Sequence, residues 1–318
     1  MYPFWRLNRM LYMPACRLHA RHAVTDEGAG QSMVFLCSVE FLLVHRYWPD
    51  LVKPRTFSEK IWNRMLFQRD PRFVVLSDKL RARSFVAERA GEELLVPLHW
   101  SGKEPDEIPW DVLPSKFVIK ATHGCGYNLF VTDKIHTDPK IVRSRMAKWL
   151  GVNYGRSFGL GTEWSYRHVP PYIIVEKYLQ EDGHNIPDYK FWCFAGRVEC
   201  VTVHSDRHSR HSVQTFDRSF RPYKFAFYLD AFNRTALPPP NFADMVRAAE
   251  SLAAGFDFIR IDMYNVSGRI YAGEFTVYPG GGFIRFLPYE LDLHLGTIWQ
   301  LDKAAQPAAL KRNERPCQ

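Results

Sequence analysis

The sequence predicts an α+β protein with a helical front third followed by antiparallel strands. Three observations predict it. The chain has 318 residues, 46% hydrophobic and 24% charged, which is enough to bury one large core or two smaller ones. Apolar residues recur at helical spacing in the front third. Beyond it, short β-branched runs bounded by Pro or Gly take over, two pairs of them joined by tight-turn dipeptides.

Residues 35 to 70 read as helical, with Val44, Trp48 and Leu51 on one face and Thr56 as the N-cap of a segment running Ile61 to Phe67. A second helix is expected from Ser77-Asp78, through Lys79 to Arg89, ending at Gly91. Phe117 to Lys120 and Tyr172 to Glu176 read as buried strands with a helix, Lys140 to Leu150, between them. Tyr189 to Phe194, Arg197 to His204, Phe258 to Tyr264 and Arg269 to Phe275 read as further strands. Asn241 to Gly255, after three prolines, reads as a helix. Ala195-Gly196 and Ser267-Gly268 each read as a hairpin turn. The resulting organisation is a basic aromatic segment over 1–34, a mainly helical region over 35–115, strand-rich regions over 116–180 and 181–300, and a tail over 301–318.

The longest early apolar stretch, Met33 to Val44, is interrupted by Glu40 and is shorter than the roughly 20 residues of a spanning helix. A cytoplasmic protein is expected, with peripheral membrane contact through the basic aromatic residues 1–34 and a place at the inner face of the membrane. Cys16, Cys37, Cys125, Cys193, Cys200 and Cys317 form no C-x-x-C pair, which suits reduced and mostly buried thiols. Cys125 lies between two glycines, but no base can be assigned to it, so nucleophilic chemistry is set aside. The net charge of +8 points to an anionic partner. Nucleic acid is set aside, because most aromatics sit in apolar runs such as Phe191 to Phe194, where they serve a core.

Charges inside strands are costly unless paired or ligated, so they mark the residues to follow. Lys120 ends an apolar strand and leads into Ala121-Thr122-His123-Gly124-Cys125-Gly126-Tyr127-Asn128. This reads either as a phosphate-cradling loop with Lys120 as a point charge or as a glycine turn beside a solvated lysine. Glu176-Lys177-Tyr178-Leu179 ends another strand; it reads as a strand end turning to solvent, with a nucleobase-binding edge as the alternative. Asp262 and Glu274 fall on the two arms of the Ser267-Gly268 hairpin, at what is read as equal distance from the turn. Side by side they would repel unless a cation lies between them: a hard divalent ion is preferred, with neutralisation by Arg260 or Arg285 as the alternative. His204, His208 and His211 read as part of a polar loop meeting phosphate rather than as a zinc site.

Taken in order, Ser77-Asp78-Lys79, Lys120 with its glycine loop, Val175 to Leu179, Asp188-Tyr189-Lys190, Arg260-Ile261-Asp262 and Glu274 to Gly280 resemble the ATP-grasp superfamily. Pro54 to Lys60, Phe117 to Gly124 and Ser205-Asp206-Arg207 look like its TupA-like branch, named for teichuronopeptide biosynthesis. The resemblance implies ATP clasped between two α+β subdomains, 116–180 as a lid and 181–300 carrying the metal site. It implies Lys79 and Lys120 on phosphates under a loop holding His123, Gly124 and Gly126, with Lys190, Arg207 and Lys224 competing for the phosphate position of the second subdomain and Lys190 and Arg207 preferred. Glu176, Lys177, Tyr178 and Leu179 would form the adenine hinge, and Asp188 would hold the ribose. Asp262 and Glu274 would hold Mg2+, with Thr276 where these enzymes commonly have Asn. Arg260 and Arg207 would stabilise transferred charge. The implied reaction is ATP-dependent activation of a carboxylate and its capture by an amine. Its partners would be a carboxylate-bearing surface glycan or precursor and an amino acid or amine. A kinase or glycan-modifying transferase on the same fold, or a non-catalytic module for anionic polymers, are the alternatives.

Overall fold

The computed structural model describes residues 24–25, 28–157, 162–181, 184–205, 211–225, 227 and 236–302. Among the described residues a short antiparallel pair, Val24–Thr25 with Gly28–Ala29, precedes four helices: α1 (Gln31–His45), α2 (Phe57–Phe67), α3 (Pro71–Ser77) and α4 (Arg81–Ala90). The stretch read as one helical region is broken after α1, where Arg46 turns left-handed at φ 71° and Pro49 and Pro54 follow. Thr56 then caps α2 through a full capping box, its hydroxyl accepting from Glu59 N–H while the Glu59 carboxylate accepts from Thr56 N–H. The helix expected from Lys79 starts two residues later. The Asp78 carboxylate accepts from the N–H groups of Leu80 and Arg81, which leaves Lys79 in the turn between α3 and α4.

The rest of the chain runs β1 (Leu98–Gly102), β2 (Phe117–Ala121), β3 (Asn128–Val131), α5 (Pro139–Leu150), β4 (Ile173–Lys177), β5 (Asp188–Phe194), β6 (Arg197–Ser205), β7 (Ser212–Asp217), α6 (Phe242–Ala253), β8 (Phe258–Val266), β9 (Arg269–Thr276) and α7 (Tyr289–Ile298). Besides the pair at 24–29, two larger antiparallel sheets result, one in the order β1-β4-β2-β3 and one in the order β9-β8-β5-β6-β7. The strand β1 is a correction to the sequence reading, which assigned 35–115 to helices and began the first strand-rich region at 116. Its half-buried and exposed residues alternate, and His99 and Ser101 hide it among polar neighbours. Both expected hairpin turns form, with positive φ at Ala195 and Gly196 and at Ser267 and Gly268, the mirror-image turn that follows strand twist.

Each sheet has its own core. The smaller one packs Val142 and Met146 of α5 against Phe117, Ile119, Ile173 and Val175. The larger one joins α1 to α4, α6, α7 and the five-stranded sheet. Arg64 of α2 is fully buried in it. Its guanidinium pairs with Asp257, donates to the carbonyl of Phe258 at 2.9 Å, and lies over the rings of Phe73 and Trp299 at 4.9 and 4.5 Å. Burial pushes the Asp257 carboxyl up, but Arg64 and hydrogen bonds outweigh this and hold it below the usual range. We expect Arg64→Met to cost about 3–5 kcal/mol in urea unfolding, because it strands a buried carboxylate. A depressed carboxyl adds stability above its unfolded pKa and loses it as pH falls through its folded pKa, so the gap between wild type and variant should narrow progressively as the pH falls below about 4.

Candidate functional site

Alternate residues of a strand share a face, so Phe258, Arg260 and Asp262 of β8 point the same way, opposite Phe194, Trp192 and Lys190 of β5. One end of this face is aromatic and packed: the Phe57 ring lies 5.7, 6.1 and 5.0 Å from those of Trp192, Phe194 and Phe258. The other end carries charge. Asp262 lies between Glu274 on β9 and Lys190 on β5 in one cross-strand row, and Asp188 follows Lys190 on the same face.

The count that placed Asp262 and Glu274 opposite each other is one residue out. An unbroken hairpin register would set Asp262 against Gly273; the register shifts between Asp262 and Met263, and this bulge brings Glu274 into the pair. Gly273 permits it, since a Cβ there would lie 2.7 Å from the Tyr264 ring and 3.1 Å from the Asp262 carbonyl.

The Asp262 carboxylate is buried and answered by protein cations, which is the alternative the sequence reading ranked second, with Lys190 added and Arg285 not involved. Arg260 donates to it through Nε at 2.6 Å and Nη2 at 2.8 Å, and Lys190 pairs with its Oδ2. Lys190 also meets Asp188 at 2.7 Å, so the Asp188 carboxylate faces this lysine. Burial would raise the Asp262 pKa, but Arg260 and Lys190 outweigh it and keep the group ionised well below the usual range. Thr276 accepts from Arg260 Nη2 at 2.8 Å. Glu274 is half-buried and forms no ion pair among the described residues. Among the described residues, no group of three or more His, Cys, Asp or Glu side chains gathers as a metal ligand set. His204 Nδ1 and His211 Nε2 lie 3.1 Å apart, one donating to the other, while His208 and Arg207 lie outside the described residues.

The second wall comes from the four-stranded sheet and the turn before α4. Glu176 does not turn to solvent: it is buried, with Lys120 at 2.8 Å on one oxygen and Arg83 of α4 at 3.0 Å on the other. Lys120 is accordingly a paired lysine. It sits diagonally across the β2–β4 pair from Glu176, on one face. Arg83 escaped the sequence reading, although its position four residues after Lys79 was a faint signal. Lys79 donates through Nζ to the carbonyl of Gly124 at 2.6 Å. The loop from Ala121 to Asn128 joins β2 to β3; Gly126 has φ +78°, and a Cβ on Gly124 would meet the Tyr154 ring at 2.7 Å. His123 is buried in this loop with Nε2 on the Trp149 carbonyl at 3.0 Å, and burial lowers its pKa, so it anchors the loop to α5. Cys125 reaches solvent yet is crowded by protein; desolvation, then the Glu274 charge, push its thiol up to about 11, which keeps it protonated and unreactive. At the end of β4, Lys177 N–H is taken by the Pro97 carbonyl at 2.9 Å, Tyr178 donates to Asn185 at 3.3 Å, and Leu179 is half-buried.

Ser77, Lys79, Arg83, Glu176, Gly273 and Glu274 line the cleft between the two walls. It encloses only about 30 Å3, room for a water or two.

A family model described as TupA-like ATPgrasp matches residues 59–300. No curated protein matches the chain. Solved structures similar to it include a D-alanine–D-alanine ligase from Bacillus anthracis complexed with ATP, at 14% identity over 76% of this chain and 68% of that one, with a TM-score of 0.42. The ATP-grasp ligase PsnB, complexed with a minimal precursor, Mg and ADP, aligns at 12% identity over 66% of this chain and 53% of its own, with a TM-score of 0.35. The N5-carboxyaminoimidazole synthetase from Staphylococcus aureus, complexed with ADP, aligns at 12% over 72% and 53%, with a TM-score of 0.39.

The buried charges of the row should behave as one unit. In a double-mutant cycle of Lys190→Met with Asp262→Asn, read by urea unfolding, the two losses should be non-additive by about 1–3 kcal/mol. Additivity within about 0.5 kcal/mol would mean that the two groups do not interact in the folded chain.

Proposed function

The chain belongs to the TupA-like ATP-grasp family, and on that premise we propose that it is an ATP- and magnesium-dependent ligase that activates a carboxylate as an acyl phosphate and joins it to an amine. The observation that carries this reading is the charged row Glu274, Asp262 and Lys190, whose Glu274 lines a cleft together with Lys79, Arg83 and Glu176, the last also paired with Lys120. In this reading Lys79, Lys120 and Lys190 bind phosphates, and the loop with His123, Gly124 and Gly126 closes over them. Residues Glu176 to Leu179 border the base. Asp188 positions Lys190, which its carboxylate already meets. Arg260, held in place by Asp262 and Thr276, would bring its fixed positive charge to the transferred phosphoryl group or the later oxyanion.

Asp262 and Glu274 offer only oxygen donors, as a hard divalent cation requires, and Glu274 is uncommitted to any ion pair among the described residues. Magnesium held there would neutralise phosphate charge. The site's own charges favour a nucleotide that arrives with its metal. Lys120 and Arg83 are answered by Glu176, and Lys190 and Arg260 by Asp262 and Asp188. A bare anionic polymer would have to break those pairs with no cation left to satisfy the freed carboxylates. The substrates proposed are a carboxylate-bearing surface glycan or its precursor and an amino acid or amine, which rests on the family name and the chain's net charge of +8.

Calorimetric titration with a non-hydrolysable ATP analogue tests the site. Binding is expected to need magnesium and to weaken by about tenfold or more, at least ~1.4 kcal/mol, in Lys120→Ala. Asp262→Asn and Glu274→Gln should each abolish magnesium-dependent ATP turnover with circular dichroism unchanged; retained turnover in both would mean that other carboxylates serve. ADP release that requires a carboxylate and an amine together is the ligase outcome, and a phosphorylated product would overturn it.

A further inference from the structure

The helix α1 carries apolar residues round most of its circumference, Glu40 being its only acidic residue. Such a helix is normally covered on all sides. Its inner face is: Met33, Cys37 and Phe41 are fully buried. Its outer face is not. Phe35 is 60% exposed and Leu43 41%, and the loop after the helix adds Trp48 at 55% and Val52 at 43%. The rings of Phe35 and Trp48 lie 6.0 Å apart, on a shallow groove of about 660 Å3 that Val34 and Leu51 also line. This is a continuous apolar surface, not a scatter of single side chains.

The charges bordering it are mostly of one sign. Arg46, Lys53 and Arg55 are exposed on the same loop. Three acids neighbour it: Asp50 is exposed and lines the groove, its carboxylate accepting from the N–H groups of Val52 and Lys53, Glu40 of α1 is half-buried, and Glu59 is buried in the α2 cap. An apolar face with an exposed tryptophan and a cationic border matches the boundary between lipid headgroups and acyl chains. Among the described residues no helix is long and apolar enough to cross a membrane, so the match is to a surface.

We propose that the outer face of α1 and the loop 46–55 dock the protein on an anionic lipid bilayer, with Phe35, Trp48 and Val52 entering the interface and Arg46, Lys53 and Arg55 meeting the headgroups. This differs from contact through the basic residues of 1–23, and it stands apart from the nucleotide cleft, whose lining shares none of these residues.

Flotation of the full chain with vesicles of phosphatidylcholine, with and without phosphatidylglycerol, at low and high salt, tests it. Binding should require phosphatidylglycerol and weaken with salt. Lys53→Gln with Arg55→Gln should reduce partitioning by about thirtyfold, given the typical contribution of each basic residue near an anionic surface. Phe35→Ser with Trp48→Ser should reduce it by about tenfold or more while unfolding midpoints hold. Hydrogen exchange of the wild-type chain should slow over 46–55 when anionic vesicles are added. The proposal is overturned if neither vesicle binds the chain. It is also overturned if Phe35→Ser with Trp48→Ser leaves binding intact while Arg6, Arg9, Arg17 and Arg21→Gln abolish it. A shift from dimer to monomer in that aromatic variant, with vesicle binding unchanged, would assign the face to a second copy of the chain.

Discussion

Burying Lys190 and Asp262 side by side on neighbouring strands is the constraint from which the candidate site follows. A desolvated ion pair holds only with good geometry and with its remaining oxygens satisfied. Arg260 supplies both remaining hydrogen bonds to Asp262 and is itself held by Thr276. Asp188 supplies the second acceptor for Lys190. The glycine bulge at 273 then sets Glu274 against a carboxylate that already has its cations, so the two acids lie next to each other at small cost. Removing one member would leave its neighbours charged and buried, which is why the row is expected to fail as a unit.

Pairs within the second wall of the cleft repeat the same logic. Glu176 on β4 is held by a lysine from its own sheet and an arginine from α4, and Lys79 is held by a backbone carbonyl of the glycine loop. Each cation suited to bind phosphate is therefore occupied by an internal acceptor, and the cleft is nearly closed. Ligand entry becomes an exchange of partners rather than the filling of a hole. An exchange of this kind favours a ligand that brings anions and cations together.

Local chemistry made much of this legible from sequence. The capping box at Thr56 and Glu59 and the two positive-φ hairpin turns are read from neighbouring residues, and they form as read. The charged strand residues stood out because burial without a partner is costly. What stayed hidden depends on residues far apart. Arg83 meets Glu176 across 93 positions, and Arg64 meets Asp257 across 193. The strands β1 and β7 are short and half-exposed, so they carry no clear apolar run. The bulge changes which residue faces Asp262, and a glycine inside a strand signals only that a bulge is permitted there.

The two ends of one sheet face explain how such a site is tolerated. Four residues along β8 separate Phe258, ringed by Phe57, Trp192, Phe194 and Trp299, from Asp262. That is about 13 Å of extended strand. The aromatic end, stapled to α2 by Arg64, fixes the strands that present the charges, so Arg260 and Lys190 need no rearrangement of their own to keep their geometry. The four-stranded sheet has a separate core around Phe117 and Met146. Between the two cores run polar contacts, Glu176 with Arg83, Lys79 Nζ with Gly124 and Lys79 N–H with Thr122, and in the proposed reading the first two are the ones an incoming phosphate would replace.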